Sequence, residues 1–190
     1  MLSDFLAKNI ASQAGVEAGG YVTYGYGQVE PNHLSAQRTG QIYAQLPATG
    51  IDQLENGQFA KYDYANGKVD FSANAEIEWM LVFNEVKLYD GYRQTYKDYV
   101  ALASDNADKV IYPRLFKTNI GDIFTTNCLK LAASSATGET EMGDYAEGQK
   151  LGINSNGFLD STVSTGLQFQ IVKVYTLADG QAAVKVQRIA

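Results

Sequence analysis

Short apolar runs punctuated by turn residues dominate the chain from Thr39 to Gly91. Gln41–Leu46 puts Ile42, Ala44 and Leu46 on one face, the period of a strand. Gln58–Tyr64 and Lys68–Phe71 flank Asn66-Gly67, a pair that tolerates positive φ and so favours a tight hairpin turn. Glu78–Leu88 (EWMLVFNEVKL) is the strongest strand; its first half is almost wholly apolar, which predicts burial on both faces. Two stretches depart from this pattern. Leu2, Phe5, Leu6 and Ile10 recur at helical spacing, with Ser3 to cap, Asp4 at the positive dipole end and Gly15 to stop, so residues 3–14 predict a short amphipathic helix. Tyr92, Tyr96 and Tyr99 fall at i, i+4 and i+7, predicting a helical linker through about Ala103. Between Val16 and Gln37 periodicity dissolves into an extended arm carrying Tyr21, Tyr24 and Tyr26 among glycines.

The second half echoes the first. Gly40-Gln41-Ile42-Tyr43 has a counterpart in Gly121-Asp122-Ile123-Phe124, and Glu55-Asn56-Gly57-Gln58 in Ala146-Glu147-Gly148-Gln149. Asn66-Gly67-Lys68-Val69 matches Asn156-Gly157-Phe158-Leu159, Trp79-Met80-Leu81-Val82 matches Phe169-Gln170-Ile171-Val172, and Asp90-Gly91 matches Asp179-Gly180. Preserved order with drifting spacing is what a degenerate duplication leaves. The expected fold is therefore mainly β. It has two small related barrel or sandwich modules, a short N-terminal helix, an extended arm and a short linker helix. The boundaries are 1–37 for helix and arm, 38–91 for the first module, 92–112 for the tyrosine-rich linker and 113–190 for the second module.

Composition narrows the function classes. The 190 residues include 13 Tyr, 18 Gly and only 3 Pro, a balance that suits strands and tight turns. A net charge of −6 and the absence of any basic run argue against a nucleic-acid binder, which needs clustered Lys and Arg to displace counterions. Cys128 is the single cysteine, so no intrachain disulfide or CxxC site is expected. The N-terminal text lacks a basic n-region and a long apolar run, and no stretch of about 18 apolar residues predicts a membrane span.

Candidate chemistry is sparse. His33, the only histidine, lies in the arm, and Cys128 could at best pair with it as a thiol nucleophile, a small-hydrolase reading that the lone histidine disfavours. Asp63 and Asp70 flank the first hairpin, while Glu139, Glu141, Asp144 and Glu147 crowd one loop without the Ca²⁺-loop pattern. Gly25 and Gly27 do not extend to a dinucleotide fingerprint, because the third glycine position holds Glu30. No cofactor, metal site or catalytic residue is expected. Tyrosine gives large contact area at low conformational cost. Phe5, Leu6, Ile10, Tyr21, Tyr24, Tyr26, Tyr92, Tyr96 and Tyr99 are thus the candidate partner-binding residues.

The stretches RTGQIYAQLP, LENGQFAKYDYANGKV and YPRLFKTNIGDIFTTN, with the closing AAVKVQRIA, resemble small structural proteins of tailed bacteriophages encoded near the major head protein. That resemblance implies a virion component assembled in the host cytoplasm, most simply a capsid decoration or auxiliary subunit, with a tail or connector subunit as alternative. Its partners would be the major capsid protein or other virion proteins, in many copies or as a homo-oligomer. It brings no catalytic residues. A carbohydrate- or host-receptor-binding module using Trp79 is the alternative from another class, and the apolar surroundings of Trp79 predict its burial.

Overall fold

The computed structural model describes residues 27–35, 46–72, 74, 76–83, 100–102, 110–130, 145–176 and 182–190. In chain order its strands are β1 (Val29–His33), β2 (Gln53–Glu55), β3 (Phe59–Asp63), β4 (Lys68–Asp70), β5 (Trp79–Val82) and β6 (Val100–Leu102). They continue with β7 (Leu115–Phe116), β8 (Ile123–Thr126), β9 (Lys150–Ile153), β10 (Leu159–Asp160), β11 (Phe169–Thr176) and β12 (Ala182–Arg188). One sheet runs β1-β8-β12-β11-β9-β10, a second runs β4-β3-β5-β7, and β2 pairs with β6. The fold is mainly β, as the alternation predicts. Among the described residues the two larger sheets are open, with β1 and β10 ending one and β4 and β7 the other, and they form no closed barrel.

Apolar faces explain why the sheets meet. Phe59, Leu81 and Phe116 of the four-stranded sheet share a core with Phe124, Leu151, Phe169, Ile171, Val184 and Val186 of the six-stranded one. The Phe59 ring lies 6.2 Å from that of Phe124 and 5.4 Å from that of Phe169, at tilts that suit aromatic quadrupoles. On the opposite face of the four-stranded sheet, Ala60, Tyr62, Val69, Met80, Val82 and Leu115 pack with Ala48, Ile51, Leu54 and Ile111. Burial of this sheet on both faces is what the run WMLV predicts.

Three boundaries differ from the sequence reading. Val29–His33, assigned to the extended arm, is a strand: Val29 pairs with Thr126, Glu30 with Thr125 and His33 with Ile123. Pro31 is tolerated because this is a sheet edge, where one side of the strand needs no ladder donor. Val100–Leu102, expected at the end of a linker helix, is strand β6, held by Gln53–Glu55; cross-strand pairing overrides the helical spacing of the tyrosines before it. Leu115–Phe116, placed in the second module, pairs with Leu81 and Val82 of the first. The predicted N-terminal helix, the strand Gln41–Leu46 up to Gln45, and the linker from Tyr92 to Tyr99 lie outside the described residues.

Segments about ninety residues apart make the same hydrogen bonds. Gly57 N–H donates to Val82 O at 3.0 Å, and Gly148 N–H to Ile171 O at 2.8 Å. Val82 N–H returns to Gln58 O at 2.8 Å, and Ile171 N–H to Gln149 O at 2.9 Å. Glu55 N–H donates to Gln58 Oε1 at 3.2 Å, and Ala146 N–H to Gln149 Oε1 at 3.1 Å. Ser72 N–H donates to Asp70 Oδ1 at 2.9 Å, and Thr162 N–H to Asp160 Oδ1 at 2.8 Å. Ala48 bridges Val69 in parallel, as Leu129 bridges Leu159. Thr49 N–H and Lys130 N–H then donate to the Val69 and Leu159 carbonyls, both at 2.8 Å.

One textual match is a residue out of step. Ala60 pairs with Met80 and Leu151 with Phe169, so Phe169 corresponds to Met80 rather than to Trp79. The ladder decides because side chains alternate with period two, and only this register brings Met80 and Val82 onto Phe169 and Ile171 as core residues.

Candidate functional site

Acidic side chains are the natural place to look for chemistry in an acidic protein. The buried carboxylates among the described residues are Glu55, Asp63, Asp70, Asp122 and Asp160. Each accepts a backbone N–H from a turn or loop. Glu55 Oε2 takes Gly27 N–H at 2.7 Å, Asp63 Oδ1 takes Asn66 N–H at 3.1 Å, and Asp70 Oδ1 takes Ser72 N–H. Asp122 takes Ser35 N–H at 2.9 Å and Asn119 N–H at 2.8 Å, and its Oδ2 also takes the Ser35 hydroxyl. Asp160 Oδ1 takes both the N–H and, at 2.6 Å, the hydroxyl of Thr162. These bonds satisfy loop donors that sheet ladders leave unpaired.

Their electrostatics follow. The Asn66 side-chain amide and backbone hold the Asp63 carboxyl below the usual carboxylate range. Burial pushes Asp160 up, but Thr162 and the Lys130 ammonium outweigh it and leave that carboxyl below its ordinary value. Burial draws Lys61 down, against Asp70, which faces it across the β3–β4 pair. The Lys61 ammonium donates to Asn74 O at 2.6 Å and lies 4.9 Å from the centre of the Trp79 ring.

A polar seam joins the two sheets. Phe59 N–H donates to Gly157 O at 2.7 Å, and Gln58 Nε2 to Asn156 O at 2.8 Å. Gln28 N–H donates to Asn127 Oδ1 at 2.7 Å. Backbones approach so closely that a Cβ on Gly157 would overlap the Phe59 carbonyl oxygen, and one on Gly57 would overlap Thr126 Oγ1. Cys128 is wholly buried in this seam, and burial, then Glu55, push its thiol well above the ordinary value. At neutral pH it is the protonated thiol, a poor nucleophile.

The chemistry weighed from sequence is not assembled. His33 is exposed opposite Ile123 at one end of β8, while Cys128 follows Thr126 beyond the other end. Trp79, expected buried, is only partly so, stacked at 6.4 Å on Phe71 and under Lys61. Of the acidic loop, Glu147 is exposed in the turn before β9, and Glu139, Glu141 and Asp144 lie outside the described residues. So do all the candidate partner-binding residues: Phe5, Leu6, Ile10, Tyr21, Tyr24, Tyr26, Tyr92, Tyr96 and Tyr99. Among the described residues, no group of three or more His, Cys, Asp or Glu could hold a metal ion, and no helix is long and apolar enough to cross a membrane.

Sequence reasoning missed the seam. Gln28 with Asn127 and Gln58 with Asn156 are partners about a hundred residues apart, and only the Asn-Gly pairs at 56–57 and 156–157 mark the approach. Comparison with family models, curated proteins and solved structures gives no match.

Proposed function

We propose that this chain is a non-enzymatic structural protein of a tailed-phage particle, seated on the head as a decoration or auxiliary subunit and built of two related β modules. The observation that carries the structural role is the use of the buried acids. All five of those described are spent on positioning loop backbone. The repeated hydrogen bonds around Gln58 and Gln149, and around Asp70 and Asp160, support two related modules. The phage assignment rests on the resemblance of RTGQIYAQLP, LENGQFAKYDYANGKV and YPRLFKTNIGDIFTTN to virion proteins.

The contacts to the lattice are proposed for the N-terminal segment and the tyrosines at 92, 96 and 99, because aromatic arms cover wide surface for their length. Many copies let individually weak contacts suffice. Protection of the arm on assembly is expected to end near Gln28, since Val29–His33 is already paired in the isolated subunit.

The test is quantitative mass spectrometry of purified particles separated into heads and tails. Many copies per head are expected. Recovery in the tail fraction alone would move the subunit to a tail or connector, and absence from both fractions would overturn the reading.

A further inference from the structure

We propose that Lys130 and Asn154 join through an intramolecular isopeptide bond, with Asp160 as the proton carrier. The inference is independent of any particle or partner. One buried oxygen gathers the reacting groups: Asp160 Oδ2 lies 3.0 Å from Lys130 Nζ and accepts from Asn154 Nδ2 at 3.4 Å. The side chain of Asp160 is 3 % exposed and its other oxygen is held by Thr162, so the carboxyl is fixed in orientation. The backbone of Lys130 is fixed as well, while its side chain is 38 % exposed and reaches in to Asp160. Its N–H donates to Leu159 O, its carbonyl accepts the Tyr145 hydroxyl, and Leu129 before it bridges Leu159. The Asn154 carbonyl oxygen accepts two backbone N–H groups, from Asn156 at 2.9 Å and Phe158 at 3.0 Å. Two donors on one amide oxygen polarise its carbon and would stabilise the charge that attack places there.

The first hairpin shows that folding does not require this combination. The matching positions there are Thr49, Asp63 and Asp70. The carboxylate of Asp70 is kept and the Lys68 ammonium reaches it at 2.7 Å, but from β4 rather than from Thr49, and the position of Asn154 holds Asp63, which caps the turn and offers no amide to attack. An amine nucleophile, a polarised amide and a bridging carboxyl occur together only around Asp160 among the described residues of these two hairpins.

The chemistry balances without a cofactor. Lys130 Nζ passes a proton to Asp160 Oδ2 and the neutral amine attacks Asn154 Cγ, forming the Cγ–Nζ bond. Asp160 gives that proton to Nδ2 and takes the second one from Nζ. The Cγ–Nδ2 bond then breaks, and ammonia leaves with the proton held by Asp160, departing as ammonium and restoring the carboxylate. Because Thr162 and Lys130 hold the Asp160 carboxyl below its ordinary value against its burial, that carboxyl takes up a proton reluctantly. The bond therefore forms slowly after folding. Once made, it ties the segment after β8 to the β9–β10 turn covalently and stabilises the fold, as other cross-links do.

The experiment is intact-mass and peptide mass spectrometry of the purified full chain after prolonged incubation in mildly alkaline buffer. The wild type is expected to lose the mass of one ammonia, resist tryptic cleavage after Lys130, and yield a branched peptide joining Lys130 to Asn154. Lys130→Arg, which keeps the charge but not the nucleophile, is expected to stay at full mass, and Asp160→Asn to do so while folded. A wild type at full mass would overturn the proposal. So would an ammonia loss that survives Lys130→Arg, which identifies a succinimide at an Asn-Gly step such as Asn66-Gly67.

Discussion

The described parts of 46–83 and 127–171 share a set of backbone hydrogen bonds and differ in the face they turn away from it. Phe59 pairs with Leu81 across β3 and β5, and Lys150 pairs with Gln170 at the matching positions of β9 and β11. Phe59 and Leu81 are fully buried, whereas Lys150 is exposed and Gln170 half-buried. The frame is thus specified by turn glycines, capping acids and the Gln58 and Gln149 side chains, and the outer face is left free to vary. In the first region Phe59 and Leu81 of that face enter the core of the six-stranded sheet; in the second Lys150 and Gln170 turn towards solvent. Burying one Phe side chain is worth about 2–3 kcal/mol, so the difference decides how the two regions dock.

Matched substitutions can break this comparison. The largest effect is expected at the glycines. Gly157→Ala adds a Cβ into the Phe59 carbonyl at φ 79°, and chemical denaturation should show a loss of about 3 kcal/mol or more. Gly148→Ala, at φ 84° with only Gln170 Nε2 near the new Cβ, at 4.0 Å, should cost only about 1 kcal/mol. Equal losses would mean that the seam is not close-packed.

Asp160→Asn should follow, with a loss of about 2–3 kcal/mol at neutral pH from the bonds to Thr162 and Lys130. The folded carboxyl titrates below the unfolded one. Its contribution is therefore fully present above the ordinary carboxylate range and disappears as pH falls through the depressed value. Melting curves across acid pH should converge for wild type and variant. A constant gap would show that the charge is not the cause.

The smallest contrast is between the glutamines. Gln58 is buried and bonds both Glu55 N–H and Asn156 O, so Gln58→Ala should cost about 1–3 kcal/mol. Gln149 is half-buried and its side chain accepts the local bond from Ala146 N–H, so its replacement should cost about 0.5 kcal/mol. A reversed order in denaturation would place the seam elsewhere.

The hairpins were legible in sequence because their signals are local. Asn66-Gly67 lies in the turn between β3 and β4, with Gly67 at φ 62°, and the apolar run after Glu78 is buried from both sides. The hydrogen bonds shared around Gln58 and Gln149 fall where the text of the two halves matches, but at Trp79 the textual match slips by one residue, because apolar text on both faces hides the register. Strand β1 was not legible: VEPNH carries a proline and no alternation, and it is a strand only because β8 offers it an edge. Val100–Leu102 likewise takes its conformation from Gln53–Glu55, far along the chain. The Asp160 group was missed because Lys130 and Asn154 stand in unremarkable text, and only folding brings their nitrogens to one oxygen.

The shared core makes the most direct claim, that the two regions open as one cooperative unit through Phe59. Native-state hydrogen exchange on Phe59→Ala measures it. Protection of Leu151–Ile153 and Val184–Val186 should fall together with that of Ala60–Tyr62, each by about 3–5 kcal/mol. Loss confined to β3 and β5, with the six-stranded sheet as protected as before, would contradict it.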